Sequence, residues 1–392
     1  MSALALGLAL ALSPALQEAE PRAMVPQPAK VELDVALETA VTWLIENQNE
    51  NGSWGSHHTA RPIEVLADIP GSHDAFRVAT TALCVMALRD CPNPGEEGFE
   101  AAERGLDYLL DNYNVKRANA MEHYNVWSFG YTLQAFGEHL QENPEDPRAR
   151  EIRAAAKHLL EKCDQYQTTD GGWGYLSLNG LATFKPSDTS MSFTTATVLV
   201  GLDRVREAGI ELPEKVVAKA VDHVKRSRLD DGAYLYGEYL KYRPRHGINE
   251  RKGSAARSPL CHLALDLFEE EAKPSDAFER SLEDLLVRHA DFQRVALRRP
   301  IPHESWYAIS GYFYLYGHAY AAYLLEQTSA EFQERMWPLL VEAVLVCREP
   351  DGAFWDYPLY SYHKPYGTAF AVIALSRAVA HQAAPDVGAS GG

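Results

Sequence analysis

The chain has 392 residues, of which 46% are hydrophobic, enough for one large core or two ordinary domains. Its formal net charge of −17 argues against nucleic acid as the main partner. The five cysteines are odd in number and scattered without a CxxC pair, so the sequence predicts neither a disulfide framework nor a zinc ribbon.

The N-terminus differs in character from the rest of the chain. Residues 3–12 form an apolar run that is too short to span a bilayer and is typical of the core of a signal peptide. We therefore expect residues 1–22 to be a signal peptide or a disordered leader, and the protein to be secreted or periplasmic. Residues 382–392 resemble a frayed tail, which leaves 31–381 as a single domain. No other segment is apolar and long enough to be transmembrane.

A tight turn followed by a large aromatic residue recurs along the chain. It reads QNENGSW at 48–54, QTTDGGW at 167–173, LDDGAY at 229–234 and EPDGAF at 349–354. The aromatic markers are Trp54, Trp173, Tyr234 and Phe354, at separations of 119, 61 and 120 residues. This spacing predicts six units of about 60 residues, two of them without a marker. The glycine permits the turn, and the aromatic is expected to fill the gap between units.

Each unit is predicted to contain two helices of different character. The first is amphipathic, with one side in water, and the second is apolar nearly all round and so belongs inside. The first set is predicted over 33–48, 98–113, 147–164, 213–228, 275–292 and 329–346, and the second over 74–89, 122–140, 188–206, 255–270, 307–326 and 366–380. Six outer helices alternating with six inner ones predict an all-α fold, an (α/α)6 toroid or barrel.

The turn phrases QNENGSW and QTTDGGW, and EPDGAFW without the Gln, resemble the QxxxGxW repeat of the terpenoid cyclase and prenyltransferase superfamily. The helix opening SDTSMSFTTATVLVGL also resembles that superfamily. The resemblance extends over nearly all of the chain after residue 30. It implies a squalene-cyclase-like toroid, as in prenyltransferase and squalene-oxidase repeat proteins. The same toroid also serves polysaccharide lyases and thioester domains, so it does not fix the activity.

The catalytic motifs of that superfamily are incomplete here. In a class II cyclase, the middle acid of a DxDD motif donates the proton. In KPSDTS, Asp188 matches the last acid of the motif, but Ser187 stands at the donor position and Lys185 at the first acid. A prenyltransferase zinc site combines an Asp-x-Cys pair with a later histidine. His363 resembles that histidine, but the pair is missing, so we expect no metal site and no cofactor.

The two ends of the predicted barrel differ in charge. The connections from inner to outer helices carry a summed formal charge of −13. Those from outer to inner helices carry +1 and seven of the 14 histidines. Two loops at this second end, 238–257 and 294–304, are locally basic. They predict either a mouth that attracts anions or an ordinary solvated surface.

Side chains on the inner helices are the candidate site residues. Aromatic residues in the N-terminal halves of these helices would either line a central well or simply fill the core. The residues expected to bind a ligand are Arg77, His123, Trp127, Arg257, Tyr316, His318 and Tyr366, and those expected to do acid–base chemistry are Asp188, His363 and Tyr312. The alternatives are a helix-capping role for Asp188 and a core position for His363.

Three functions are compatible with this sequence. The first is an exported protein whose aromatic pocket binds a small isoprenoid-like or other amphiphilic ligand, with catalysis left open. The second is a lyase on an acidic glycan, which would abstract a proton with Arg, His or Tyr and would need an open groove rather than a closed well. The third is a non-catalytic binding scaffold, in which scattered polar residues share no pocket.

Overall fold

The computed structural model describes residues 30–58, 70–177, 189–268, 275–292, 307–357 and 361–383. Three features of interest lie outside these residues: the leader, Asp188 and the basic loop 294–304. Within the described ranges the regular structure is helical, with isolated β-bridges at the turns. No helix in these ranges is both long and apolar enough to cross a membrane.

Thirteen helices lie in the described part of the chain. In chain order they are α1 (Lys30–Glu46), α2 (Pro70–Asp90), α3 (Gly95–Asn112), α4 (Asn125–Glu142), α5 (Ala149–Tyr166), α6 (Ser192–Glu207), α7 (Glu214–Ser227), α8 (Arg251–Ser254), α9 (Ser258–Phe268), α10 (Ser275–Glu283), α11 (Tyr314–Leu325), α12 (Ala330–Leu345) and α13 (His363–Ala383). Short 3-10 segments occupy Glu238–Leu240 and Ala308–Phe313, and a π-turn at Asp284–Arg288 continues α10.

The inner helices form a closed ring. In sequence around it, α2 packs on α4, α4 on α6, α6 on α9, α9 on α11, α11 on α13, and α13 on α2. Each inner helix also packs against one outer helix. The outer–inner pairs are α3 with α2, α5 with α4, α7 with α6, α10 with α9, α12 with α11, and α1 with α13. The predicted (α/α)6 toroid is therefore confirmed. The burial pattern gives the reason: α7 buries one stripe that includes Val216, Ala220 and Val224, whereas α6 is buried along most of its length.

The glutamine of the repeated phrase connects two neighbouring units by hydrogen bonds. Gln167 Nε2 donates to the carbonyl of Gly171 in its own turn at 2.8 Å and to the carbonyl of Val216 on α7 at 2.8 Å. Gly171 has a φ of 96°, a conformation that favours glycine. Gln48 makes the same pair of contacts in the first unit, where its second acceptor is the carbonyl of Ala101 on α3.

The aromatic marker of each phrase fixes the turn to the inner helix that follows. The Trp173 side chain is fully buried, and its indole N–H donates to the carbonyl of Cys163 at 2.8 Å. Its backbone N–H donates to Thr195 Oγ1 on α6 at 2.9 Å. The same amide-to-hydroxyl contact recurs at Trp54 with Thr81, Tyr234 with Ser254, and Phe354 with Thr368. The phrase therefore stabilises the toroid.

Two predicted helices are shorter in the structure. The inner helix predicted over 307–326 begins only at Tyr314, because the preceding six residues form a 3-10 segment. The outer helix predicted over 275–292 ends as a regular α-helix at Glu283 and continues as the π-turn. Apolar periodicity does not distinguish these related helical forms, so the sequence placed both segments in α-helix.

Candidate functional site: the aromatic mouth

Aromatic side chains fill the centre of the inner ring. Tyr131, Tyr316, Tyr320 and Phe370 are each at most 4% exposed. The ring of Tyr316 lies 5.1 Å from that of Tyr320 and 5.8 Å from that of Phe370. Its hydroxyl lies 3.0 Å from Thr197 Oγ1 on α6, within hydrogen-bond distance. Tyr316, which the sequence predicted to bind a ligand, is therefore part of the packed centre.

A second set of rings, at the end where the inner helices begin, is only partly buried. We call this set the aromatic mouth; it consists of Phe76, Tyr124, Trp127, Tyr175, Tyr312, Phe313 and Tyr366. Tyr175 stacks on Tyr124 at 5.7 Å and on Trp127 at 5.9 Å. Its hydroxyl also contacts that of Tyr236. The mouth therefore presents connected ring surfaces over a filled floor.

A buried carboxyl group lies at one side of the mouth. Asp356 is 1% exposed; its Oδ2 accepts the backbone N–H of Leu315 at 2.9 Å, and its Oδ1 accepts that of Tyr357 at 2.7 Å. Burial raises the pKa of Asp356 to about 6, although these backbone hydrogen bonds act to lower it. Burial, and then the charge of Asp356, raise the pKa of Tyr366. A carboxyl group with such a pKa exchanges its proton near neutral pH.

Two of the three residues predicted to do acid–base chemistry meet beside this carboxyl group. The ring of Tyr312 stands edge-on to Tyr357 at 4.9 Å. The ring of His363 lies 6.4 Å from Tyr357 and 4.9 Å from Tyr366, which the sequence predicted as a ligand-binding residue. Three separately predicted residues thus come together. Asp188, the third acid–base candidate, lies outside the described residues.

Arg77 and Trp127 occupy other parts of the same end. Trp127 is a member of the mouth and is half-buried. Arg77 lies beside the phenol of Tyr362. Burial raises the pKa of this phenol, and the positive charge of the Arg77 guanidinium partly opposes that rise. The Tyr362 hydroxyl is within 3.1 Å of His73 Nδ1, and its ring lies 5.8 Å from Phe76. This places Arg77 at the rim, next to the mouth.

Two predicted ligand-binding histidines lie in the core. His123 is fully buried, with its ring edge-on to Tyr166 of α5, and burial followed by the charge of Arg117 lowers its pKa to about 4. His318 Nδ1 contacts the carbonyl of Tyr314 at 2.8 Å, and burial lowers its pKa to about 4. Both rings are therefore neutral near pH 7, and the His123 ring packs on Tyr166 although its backbone N–H donates to the carbonyl of Tyr175 at 2.8 Å.

Arg257 is committed to the backbone of the long loop before α9. Its guanidinium donates to the carbonyls of Tyr234, Ile248 and Gly253, and its side chain is buried. It also lies 5.8 Å from the ring centre of Tyr236. These contacts order part of the basic 238–257 segment. Whether the residue also binds a ligand, as the sequence predicted, remains a prediction.

Asp356 and Tyr175 are not among the site residues predicted from the sequence, although the repeat contains a signal for both. Tyr175, Tyr236 and Asp356 each stand two residues after a marker aromatic. In the structure, this position contributes two contacting tyrosines and the buried carboxyl group. Aligning the units on their markers would therefore have identified one side-chain position that faces the mouth.

Comparisons by sequence give no assignment. No family model matches the chain. No curated protein matches it either.

Several solved structures share the fold. A possible member of the GH105 family from Klebsiella pneumoniae aligns with a TM-score of 0.57 and 15% identity, over 97% of this chain and 99% of that chain. A type II terpene cyclase from Scytonema, in complex with geranylgeranyl dihydroxybenzoate, aligns at 0.53 and 14%, over 90% and 98%. An inactive variant of a GH76 α-1,6-mannanase from Salegentibacter, in complex with α-1,6-mannotetrose, aligns at 0.58 and 9%, over 89% and 99%. At these identities the likeness establishes an α/α toroid, of which the terpene cyclase type is one of several.

Proposed function

We propose that the protein is a carbohydrate-active enzyme that binds a glycan across the aromatic mouth and cleaves a glycosidic bond there. The observation that carries this proposal is the combination of a filled floor with partly exposed rings. An isoprenoid chain would need a deep apolar cavity, whereas the ring centre is occupied by Tyr316 and Phe370. A shallow surface of ring faces suits the apolar faces of sugar rings. The likeness to an α-1,6-mannanase is compatible with it.

Asp356 is the proposed proton donor to the leaving oxygen. Its raised pKa keeps the carboxyl group partly protonated near neutral pH, as glycosidic bond cleavage requires of its acid. Tyr312 and His363 would surround the sugar beside it. The second carboxyl group that such reactions use is assigned to Asp74, which is exposed at the start of α2 and close to Tyr362. The signal-peptide-like leader is compatible with action on glycans outside the cell, which we also propose.

Trp127→Ala is expected to weaken glycan binding by about tenfold or more, because buried aromatic anchors dominate the binding energy of such surfaces. Binding would be measured by calorimetry against a panel of neutral and acidic oligosaccharides. Trp355→Ala is the matched control: Trp355 is also partly exposed, but it contacts Glu349 and Lys364 away from the mouth. Equal losses in the two variants, or no binding to any glycan by the wild type, would contradict the proposal.

The products distinguish hydrolysis from the lyase reaction. Hydrolysis releases reducing ends without a new chromophore, whereas elimination next to a carboxylate leaves an unsaturated sugar that absorbs ultraviolet light. A proton donor with a raised pKa favours hydrolysis. Unsaturated products from an acidic glycan would instead support the lyase.

An isoprenoid-like ligand is the second candidate. It is favoured by the apolar members of the mouth (Phe76, Trp127 and Phe313) and by the fold shared with a terpene cyclase that binds a geranylgeranyl compound. Such a ligand would lie across the same mouth. Mass spectrometry of a solvent extract of the purified protein tests it: a co-purifying isoprenoid would favour this candidate over the glycan.

A further inference from the structure

A second polar cluster lies between the QTTDGGW turn at 167–173 and α7, away from the acid–base group at Asp356. Asp170, His223 and Glu238 each offer one ligand atom, and these atoms all lie within 4.8 Å of one another. Ser190 Oγ lies 2.6 Å from His223 Nε2 and donates to Asp170 Oδ2 at 2.6 Å. With Ser190 included, four separate segments of the chain therefore converge on one point.

Asp170 departs from its counterparts in the other turns. The equivalent residue in the other three phrases accepts the backbone N–H two positions further on: Asn51 from Ser53 at 3.2 Å, Asp231 from Ala233 at 3.1 Å and Asp351 from Ala353 at 3.2 Å. The carboxylate of Asp170 instead accepts from the hydroxyls of Thr168 and Ser190. Its side chain thus contacts Thr168 in its own turn and Ser190, the hydrogen-bond neighbour of His223, instead of accepting the backbone N–H two positions further on.

Gly172 keeps this space open. A Cβ atom built at Gly172 would lie 2.8 Å from Ser190 Cβ and 2.9 Å from His223 Cε1, closer than real contacts allow. The other three phrases have Ser53, Ala233 and Ala353 at this position. The glycine therefore leaves room for His223 and Ser190 to approach the QTTDGGW turn.

The histidine of the cluster is suited to act as a ligand. His223 is fully buried, and its Nδ1 has no hydrogen-bond partner within the described part of the chain. Burial lowers its pKa, although Asp170 and Glu238 act to raise it, so the ring is largely neutral. Nε2 is the nitrogen that faces the carboxylates, and a neutral imidazole nitrogen is a common ligand of Zn²⁺.

Two cationic side chains lie next to the two carboxylates of the cluster. Arg226 pairs with Glu238 at 2.9 Å and also donates to the backbone carbonyl of Asp170. Lys241 lies 3.8 Å from the same glutamate. Arg226 thus donates to both carboxylate oxygens of Glu238, whereas the Asp170 carboxylate and the His223 imidazole meet at the hydroxyl of Ser190.

We propose that Asp170, His223 and Glu238 bind a divalent transition metal ion, with Zn²⁺ the first candidate. One imidazole and two carboxylates leave a fourth position for water or for the hydroxyl of Ser190. The sequence predicts no metal site, because it contains neither a CxxC pair nor an Asp-x-Cys pair to accompany His363. These three ligands follow no local spacing, since the fold alone brings them together. The ion would tie the QTTDGGW turn and α7 to the segment that follows Tyr236.

The test uses the full chain after treatment with a chelator and measures its zinc affinity and stoichiometry by competition with a chromogenic chelator. We expect one ion per chain, and a loss of affinity of about 100-fold or more in His223→Ala and in Asp170→Asn. The matched control is His262→Ala, which removes another buried histidine, one that contacts Tyr234 instead of the cluster. The control is expected to retain the wild-type affinity.

Cobalt substitution gives an independent readout. A Co²⁺ spectrum with d–d bands and without a thiolate charge-transfer band is expected, because the ligands are nitrogen and oxygen and not one of the buried cysteines. Zn²⁺ should raise the melting temperature of the wild type and leave that of His223→Ala unchanged. If His223→Ala fails to fold, the same measurements are made on Glu238→Gln.

Wild-type protein that takes up no Zn²⁺ or Co²⁺ would overturn the proposal, and so would undiminished binding by the folded variants. All these readouts are independent of glycan cleavage. Failure of the metal site and failure of the proposed enzyme activity are therefore distinguishable.

Discussion

Asp356→Asn is expected to lower glycan cleavage by about 10²- to 10⁴-fold, the range that a positioned general acid contributes. The asparagine fills the same volume but has no proton to give. In the wild type, the rate should fall as the pH rises through about 6, the pKa to which burial raises the Asp356 carboxyl group. In the variant, this alkaline limb should disappear from the pH profile of kcat/KM.

The pH profile also separates chemistry from positioning. Asp356 accepts the N–H of Leu315 at the start of α11, so its replacement could act through that helix. A structural effect alone would change KM and the melting temperature and leave the pH limb in place. A variant with wild-type kcat, or with the limb intact, would show that Asp356 is not the acid. His363→Ala, a change at the same end of the barrel, provides a comparison for the pH profile of kcat/KM.

The stability of the protein should also depend on this group. Its pKa is about 6 in the folded chain and about 3.9 in an unfolded one, so between these values the folded state binds more protons. Stability should therefore fall as the pH rises from about 4 to 6, by roughly 3 kcal/mol for this group. Urea unfolding of the wild type and of Asp356→Asn across this window measures it, and an identical slope for both would contradict the assignment.

Trp173→Ala is expected to lower the free energy of unfolding by about 3–5 kcal/mol, the range for removing a buried tryptophan. The side chain is fully buried, and the change also leaves the carbonyl of Cys163 without its indole donor. Gln167, which hydrogen-bonds to α7, belongs to the same turn. Removal of the indole should therefore weaken the contact between two units as well as the core. Equilibrium unfolding in urea gives the value.

Two further variants identify the cause. Trp173→Phe retains most of the ring and loses the indole hydrogen bond, so it should cost less, about 1–3 kcal/mol. Trp355→Ala removes a partly exposed tryptophan only one residue after a marker, and should cost about 1 kcal/mol. If Trp173→Ala lowers the free energy of unfolding no more than Trp355→Ala does, the marker aromatics do not hold the units together.

The site illustrates how far side-chain chemistry can be predicted without the fold. Residue type and position in the N-terminal half of an inner helix predict Tyr312, His363 and Tyr366 as site residues, and the structure brings them together. His123 and His318 are also predicted as ligand-binding residues of the inner helices, but both rings turn into the core. A helix start fixes the end of the barrel at which a residue lies. The direction of its side chain depends on which neighbours leave room for the ring.

The sequence by itself determined the repeat, the alternation of outer and inner helices and hence the toroid, because periodicity and turn residues are local signals. Only the tertiary structure decided that the centre is filled by Tyr131, Tyr316 and Phe370, since whether aromatic side chains line a cavity or occupy it depends on how they pack across the ring. It also decided that Asp356 is buried and that Asp170, His223 and Glu238 converge. Those contacts join residues far apart in the chain, and no local pattern records them.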